Sequence, residues 1–415
     1  MSSKKLGFLT LDDLDLAGKT VLVRAEFNSP VDPKTKKITD DTRIRASAET
    51  VKAILRRGAK VVILAHQGRM GDPDFIPLEQ HSEILGKLIG EPVKYVDDIY
   101  GEKAQKAIRS LAKGEVLVLG NVRGFKDETE ERSPEDHSKS ELVQSLAPLF
   151  DIFVHDAFGA AHRSQASLVG FTPLLPSAAG LTMARELTSL AKVASNPEKP
   201  CIYVLGGAKP EDSVAIAKYV LENRIADKVL VGGLLTSLFW IAQGYDLSGP
   251  NNDFLKEKDY LKLLPEVKEL LSKYRDRIEI PEDVAVDVEG RRKEISPRDL
   301  PTNYSILDIG SKSADRYAQV VKNSKTILLN GPLGVYEKEP FLAGTKRVFT
   351  ATAESKAYSL VGGGHTIAAI EKLGLNDKVS YVSTGGKVLL DLLMGKSLPG
   401  VEALRKSAKK FEAEK

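Results

Sequence analysis

At 415 residues the chain is too long for one ordinary hydrophobic core, so two domains of about 200 residues each are expected. It is 42% apolar and 28% charged, the composition of a soluble globular protein, and its 60 basic and 57 acidic residues leave a net charge of only +3. That balance argues against general nucleic-acid binding, and the single cysteine, Cys201, excludes an internal disulfide and fits a reducing cytoplasm.

In chain order, the opening MSSKKLGFLT lacks the apolar stretch of a signal peptide. Four short apolar runs follow, each ending in basic side chains: TVLVRAEFN (20–28), KVVILAHQGR (60–69), VLVLGNVRGF (116–125) and IFVHDAFGAAHRSQAS (152–167). Amphipathic stretches at 46–58, 81–90 and 139–150 alternate with them, the pattern of a parallel sheet with crossover helices. Parallel strands all end on one edge, so Arg43, His66, Arg69, Arg123, His162 and Arg163 are expected to converge there on a small, multiply charged anion.

PSAAGLTMARELTSLAKVA (176–194) reads as one long helix, closed by the breaker NPEKP. A second strand series then begins: CIYVLGG, KVLVGG, KTILLNG, YSLVGGG and VSYVSTGG. Cys201, opening the first of these, reads as a small core residue. These strands end in glycines, which let backbone N–H groups approach a phosphate closely. The most apolar stretch, KVLVGGLLTSLFWIAQG, breaks on glycines short of a membrane span, so no membrane partner and a cytoplasmic location are expected. Residues 253–276 read as a solvated helix, and 398–415 as a charged helix able to return to the first domain.

Three motifs stand out in the second half. GGGHTIAAIEKLG (362–374) has the strand–glycine turn–helix order of a phosphate site, without the Walker Gly-Lys-Ser/Thr ending. LGGAK (205–209) sets Lys209 just after a strand, and NGPLGVYE (330–337) is a stiff loop ending in a carboxylate. Each alone is as compatible with a structural role as with a ligand role. No Cys/His cluster has metal spacing, and no Ser/His/Asp arrangement stands out, so no protein metal ligand is assigned. The fold class is α/β: two Rossmann-like three-layer domains with parallel sheets, joined by a long interdomain helix. The expected bounds are 1–178, with 398–415 able to complete it, and 179–397, with the joining helix at about 178–194.

Taken together, RAEFNSP, DDTRI, AHQGR, GNVRGF, DAFGAAHRSQASLVGF, LGGAK, LVGG, LNGPLGVYE, GGGHT, STGG and LPGVEAL resemble the phosphoglycerate kinase family, in its order and over essentially the whole chain. HQG, AHRSQ and GGGH are similar to its archaeal branch. The resemblance implies phosphoryl transfer between 1,3-bisphosphoglycerate and ADP, giving 3-phosphoglycerate and ATP, with domain closure about the joining helix. It implies that Glu26, Phe27, Asn28, Arg43, His66, Gln67, Gly68, Arg69, Arg123 and Arg163 hold the phosphoglycerate. By the same likeness Gly207, Lys209, Gly232, Asn330, Pro332, Glu337, Gly363, Gly364, His365 and Thr366 hold the nucleotide, with Mg2+ carried on ATP or ADP. Arg43, Lys209 and the N–H groups at Gly364 and Gly386 would stabilise the phosphoryl group in flight. A monomer is the expected state, with a dimer left open.

The chain departs from the family pattern in five places. Glu26 replaces the usual Asp, Gly120 a Glu, Ser213 a second lysine, His365 an Asp near the metal, and Lys387 a third glycine after STGG. Glu26, Gly120 and Lys387 motivate a rival reading, a non-catalytic relative sensing nucleotide or phosphoglycerate. A nicotinamide dehydrogenase is disfavoured because no GxGxxG precedes a downstream acidic residue.

Overall fold

The computed structural model describes residues 7–412. The ends of the opening segment and of the C-terminal helix expected at 398–415 therefore lie outside the described residues. The chain divides into two units, with the breaks between Thr188 and Ser189 and between Lys396 and Ser397.

The first unit carries strands β1 (Leu9–Thr10), β2 (Thr20–Arg24), β3 (Lys60–Leu64), β4 (Val93–Tyr95), β5 (Val116–Val118), β6 (Ile152–His155) and β7 (Ser177–Ala179). Among the described residues they form one parallel sheet in the order β1-β7-β6-β2-β3-β5-β4. Alternate side chains face two separate cores. Val21, Val23, Val61, Ile63 and Val154 pack with the helix Thr42–Leu55, while Leu22, Val62, Leu64, Leu117 and Phe153 pack with the helices Glu102–Arg109 and Glu141–Leu146. That explains the unbroken apolar runs: a parallel strand covered on both faces buries every residue. Each such side chain contributes about 1.5–3 kcal/mol on burial. Thr42–Leu55 forms a helix because Ile44, Ala48, Val51 and Ile54 recur at helical spacing and fall on one buried face.

The second unit holds β8 (Cys201–Leu205), β9 (Lys228–Val231), β10 (Ile278–Glu279), β14 (Thr326–Asn330), β15 (Tyr358–Gly362) and β16 (Tyr381–Val382), parallel in the order β10-β9-β8-β14-β15-β16. Buried Cys201 opens β8, and burial pushes its thiol up to about 12, so it is inert packing. Unanticipated from sequence is an antiparallel sheet of β11 (Val284–Val288), β12 (Arg291–Ile295) and β13 (Ile306–Ile309). Residues 253–276 fall in two helices and two 3-10 turns, not one helix.

The segment read as one helix over 176–194 is corrected: Ser177–Ala179 pairs with β6 as β7, and the helix is Leu181–Ala194. Gly180 separates them, where a Cβ would lie 2.3 Å from Asp156 Oδ1. The division between the two units falls inside this helix, between Thr188 and Ser189. Its start is tied to the first unit, with Leu181 N–H donating to Thr50 Oγ1 and Thr182 and Met183 N–H donating to Asp156 Oδ1 at 2.9 and 3.1 Å. Its end belongs to the second unit, where the Ser189 and Val193 carbonyls accept from Tyr358 and Tyr203.

Asp156 is fully buried, and burial pushes its carboxyl up to about 6 from an ordinary 3.8. The native state therefore keeps a proton that the unfolded chain releases, and the stability this group contributes falls as pH rises from 3.8 to about 6. Relative to Asp156→Asn, the parent should gain unfolding free energy between pH 7 and pH 4. Urea titrations followed by circular dichroism check this; a difference independent of pH would refute it.

Candidate active site

In the first unit the basic residues gather at the C-terminal edge of the sheet. Arg24 occupies the last rung of β2, level with Leu64 and His155. It is 1% exposed, and its three nitrogens donate to Ser167 Oγ (2.7 Å), the Ala25 carbonyl (2.6 Å) and His66 Nδ1 (2.9 Å). Ser167 in turn donates from Oγ and N to the buried Glu128 carboxylate, at 2.6 and 2.9 Å. Burial and the charges of Arg24, Arg123, Arg163 and Arg43 hold His66 well below the usual imidazole range. His66, expected as one of six basic groups, is thus a neutral ring.

Arg43, on the first turn of its helix, donates to the Asn28 carbonyl at 2.8 Å and lies 3.4 Å from Glu26 Oε1. Asn28 Oδ1 accepts from Gly68 N–H at 2.9 Å, and the Gly68 carbonyl accepts from Arg123 Nη1 at 3.3 Å. The longer Glu26 side chain turns Oε2 toward Gly159, 3.0 Å from where a Cβ there would stand. Arg69, Arg123 and Arg163 line a cleft of about 590 Å³, and His162 Nε2 lies 3.4 Å from Arg163 Nε.

Two residues of the expected phosphoglycerate set have their side chains in the interior. Phe27 is fully buried in the core and stacks on His81, with centroids 5.7 Å apart. Gln67 is also fully buried, bridging the Ser29 backbone, the Asp74 carbonyl and His81 Nε2. Both side chains build the loops that carry the site and do not reach into it. Arg24 and Glu128 were missed by sequence reasoning. Arg24 sits in RAEFN, but an arginine at a strand end gives no sign of facing inward.

In the second unit a cavity of about 360 Å³ is lined by Gly207, Gly233, Phe254, Leu307, Val335 and His365, among others. The loops after β8, β9 and β14 meet backbone to backbone. Gly207 N–H donates to the Pro332 carbonyl at 2.7 Å, and Leu234 N–H to the Gly207 carbonyl at 3.2 Å. Gly233 has φ +55°, and a Cβ there would stand 2.6 Å from Gly207 N. At Gly232 a Cβ would strike Leu333 at 2.2 Å, so only glycine fits there, and its neighbour Gly233 lines the cavity.

Asn330 ends β14 with its side chain buried, and Thr366 Oγ1 accepts from Gly331 N–H at 2.7 Å. Thr366 is 1% exposed, and its side chain anchors the loop that follows β14. Gly363 (φ +86°) turns the chain into the helix Gly364–Lys372, and the space beside Gly364 is open. His365 is exposed, with Nδ1 3.2 Å from the Tyr336 hydroxyl and 3.8 Å from Glu337 Oε1. Lys209 is exposed at the start of the helix Pro210–Glu222. Gly386 (φ +50°) precedes the helix Lys387–Leu393, and Lys387 is turned along that helix to Asp391 at 3.3 Å. Asp308, on the unanticipated sheet, also borders the cavity but is committed to Arg292 Nη1 at 2.7 Å and to the Gly344 and Ile309 N–H groups.

An arginine-lined edge on one α/β unit and a glycine-lined cavity on another define a two-substrate phosphotransferase: side chains for a small anion, backbone for polyphosphate. The phosphoglycerate kinase family profile matches residues 11–396. Phosphoglycerate kinases of Methanobacterium bryantii and Methanococcus maripaludis are 45% and 44% identical to the chain, over 96% and 98% of its length and 97% and 100% of theirs. The crystal structure of phosphoglycerate kinase from Pyrococcus horikoshii superposes with a TM-score of 0.84 at 39% identity, covering 97% of this chain and all of that one. The chain belongs to the phosphoglycerate kinase family.

Thr366→Val keeps the shape but removes the acceptor, leaving the Gly331 N–H unsatisfied. A loss of about 1–3 kcal/mol in unfolding free energy is expected, with Thr366→Ser close to the parent. Chemical denaturation of both variants tests it, and equal stability of parent and valine variant would refute the anchor.

Proposed function

We propose that the first unit's arginine edge holds 3-phosphoglycerate or 1,3-bisphosphoglycerate, and the second unit's cavity holds ATP or ADP, for the phosphoryl transfer of this family. The observation that carries this reading is the grouping of Arg43, Arg69, Arg123 and Arg163 at one sheet edge, with Arg69, Arg123 and Arg163 on one cleft. A phosphate and a carboxylate on a three-carbon acid are the anions such a group of planar donors suits. Asn28 and the neutral His66 add uncharged polarity. Phe254, Leu307 and Val335 offer apolar walls for a base, and the Gly363–Gly364 turn offers N–H groups to phosphate.

Toward ATP, an ADP β-phosphate oxygen forms the new P–O bond while the acyl P–O bond breaks, releasing the carboxylate of 3-phosphoglycerate. The nucleophile is already ionised and the leaving carboxylate needs no proton, so the chain needs no general base. Its task is in-line positioning and positive charge around the equatorial oxygens. Arg43, Lys209 and the Gly364 and Gly386 N–H groups are assigned that role. Lys209 is exposed and Arg43 partly so, which leaves both side chains accessible to a substrate.

Magnesium comes with the nucleotide. The residues fit an ion held chiefly by phosphate oxygens and water, with exposed Glu337 as a hard oxygen donor beside His365; the other carboxylate bordering the cavity, Asp308, is already committed. When bound, the ion neutralises phosphate charge.

Arg43→Ala should lower kcat about 10²–10³-fold while the KM for MgATP stays within about threefold, because its charge is needed at the transferring group. A coupled assay in the 3-phosphoglycerate direction measures both. Unchanged kcat would overturn the assignment, and no turnover by the parent chain at any pH or temperature tried would overturn the activity. Lys209→Ala should lower kcat and also raise the KM for MgATP; an unchanged KM would remove Lys209 from the nucleotide site.

A further inference from the structure

The hydrogen bonds around Arg24 assign a proton to every position they touch. A guanidinium only donates, so Ser167 Oγ accepts from Arg24 Nε and must pass its own proton to Glu128 Oε1. Burial pushes the Glu128 carboxyl up, but Arg24 and the Ser167 bonds oppose it: one oxygen accepts from the Ser167 hydroxyl and the other from the Ser167 N–H, the pattern of a carboxylate. At the other end, Arg24 Nη2 donates to His66 Nδ1 at 2.9 Å. Nδ1 therefore carries no proton, and the imidazole hydrogen stands on Nε2.

We infer that Glu128 and Ser167 are positioning residues: through Arg24 they lock His66 as a neutral Nε2–H donor for the phosphoglycerate site. This rests on the reading of that edge as the phosphoglycerate site. Glu128 lies on the 3-10 turn Lys126–Thr129 and Ser167 on the helix Ala166–Val169; both are fully buried on the sheet face that Leu22 and Leu64 share. Glu128 balances Arg24, which is 1% exposed and turned inward, and leaves the charge of Arg69, Arg123 and Arg163 on the cleft.

The charged groups around His66 are Arg24 from β2, Arg43 from the helix Thr42–Leu55, Arg123 after β5 and Arg163 after β6; Glu26 faces Arg43, and Glu128 faces Arg24. Four arginines against an already bonded Nδ1 keep the ring from taking a second proton. The site then offers a directional N–H whose strength does not change across neutral pH, unlike an imidazolium.

The test combines 15N-resolved NMR of His66 with steady-state kinetics on the full chain. In the parent, His66 should show the Nε2–H tautomer and no titration from pH 5 to pH 8, and 3-phosphoglycerate should shift its signals. Glu128→Gln should mix the tautomers and raise the KM for 3-phosphoglycerate about tenfold, with the KM for MgATP within twofold. Ser167→Ala, which keeps every charge, should do the same and serves if the glutamine variant fails to fold. An Nδ1–H tautomer or a titrating His66 in the parent overturns the inference, as do mixed tautomers with unchanged KM. If 3-phosphoglycerate leaves the His66 and arginine side-chain signals unmoved, the reading of the site itself falls, and the inference with it.

Discussion

A parallel strand covered on both faces has no place for a charged side chain except at its ends. Both large sheets obey this constraint, and the rest of the molecule follows from it. In β2, β3 and β6, valine, leucine, isoleucine and phenylalanine fill the interior positions of both faces, and polarity toward the C-terminal edge begins at Arg24, His66 and His155. Charges displaced from the sheet interior collect at its C-terminal edge, so the edge becomes an anion site because the interior is apolar.

The two units solve the same electrostatic problem with different materials. In the first, guanidinium groups crowd together, and their repulsion is tempered by carboxylates kept close: Glu26 beside Arg43 and Glu128 behind Arg24. Each removes some charge at a defined place and orients a side chain in doing so. In the second, the glycine loops after β8, β9 and β14 lie so close that a Cβ on Gly233 or Gly331 would strike the neighbouring backbone. The result is a cavity with mainly apolar walls and a backbone rim, set by close approach more than by charge. Lys209 and His365 then stand exposed at its margin.

Much of the architecture was legible because burial on two faces leaves a plain signal, an unbroken apolar run bounded by turn residues. The strands beginning at Thr20, Lys60, Ile152, Cys201 and Thr326 follow from it directly. Ser177–Ala179 escaped because three small residues carry no β-branched or aromatic signature, and only pairing with β6 makes them a strand. The antiparallel sheet of Arg291–Ile295 escaped for another reason: its polar, exposed β12 shows little alternation. The joining helix was legible as a helix, but not as an element split between units, since that division depends on which groups accept its first N–H bonds and which donate to its last carbonyls.

For the site, the sequence by itself determined the family, the side-chain types and their common edge, because strand order and parallel direction send every strand end the same way. It could not tell which polar residues face outward. The side chains of Phe27, Gln67 and Thr366 lie within the family's motifs yet turn inward to hold loops, while Arg24 and Glu128 form the buried support. Nor could it give a protonation state: His66 reads as one of six basic groups in the chain, and burial beside four arginines holds its ring neutral in the fold. Those matters were decided by tertiary structure alone, because whether a side chain meets solvent or a buried partner depends on elements far apart in sequence, such as Arg24 and Ser167, 143 residues distant.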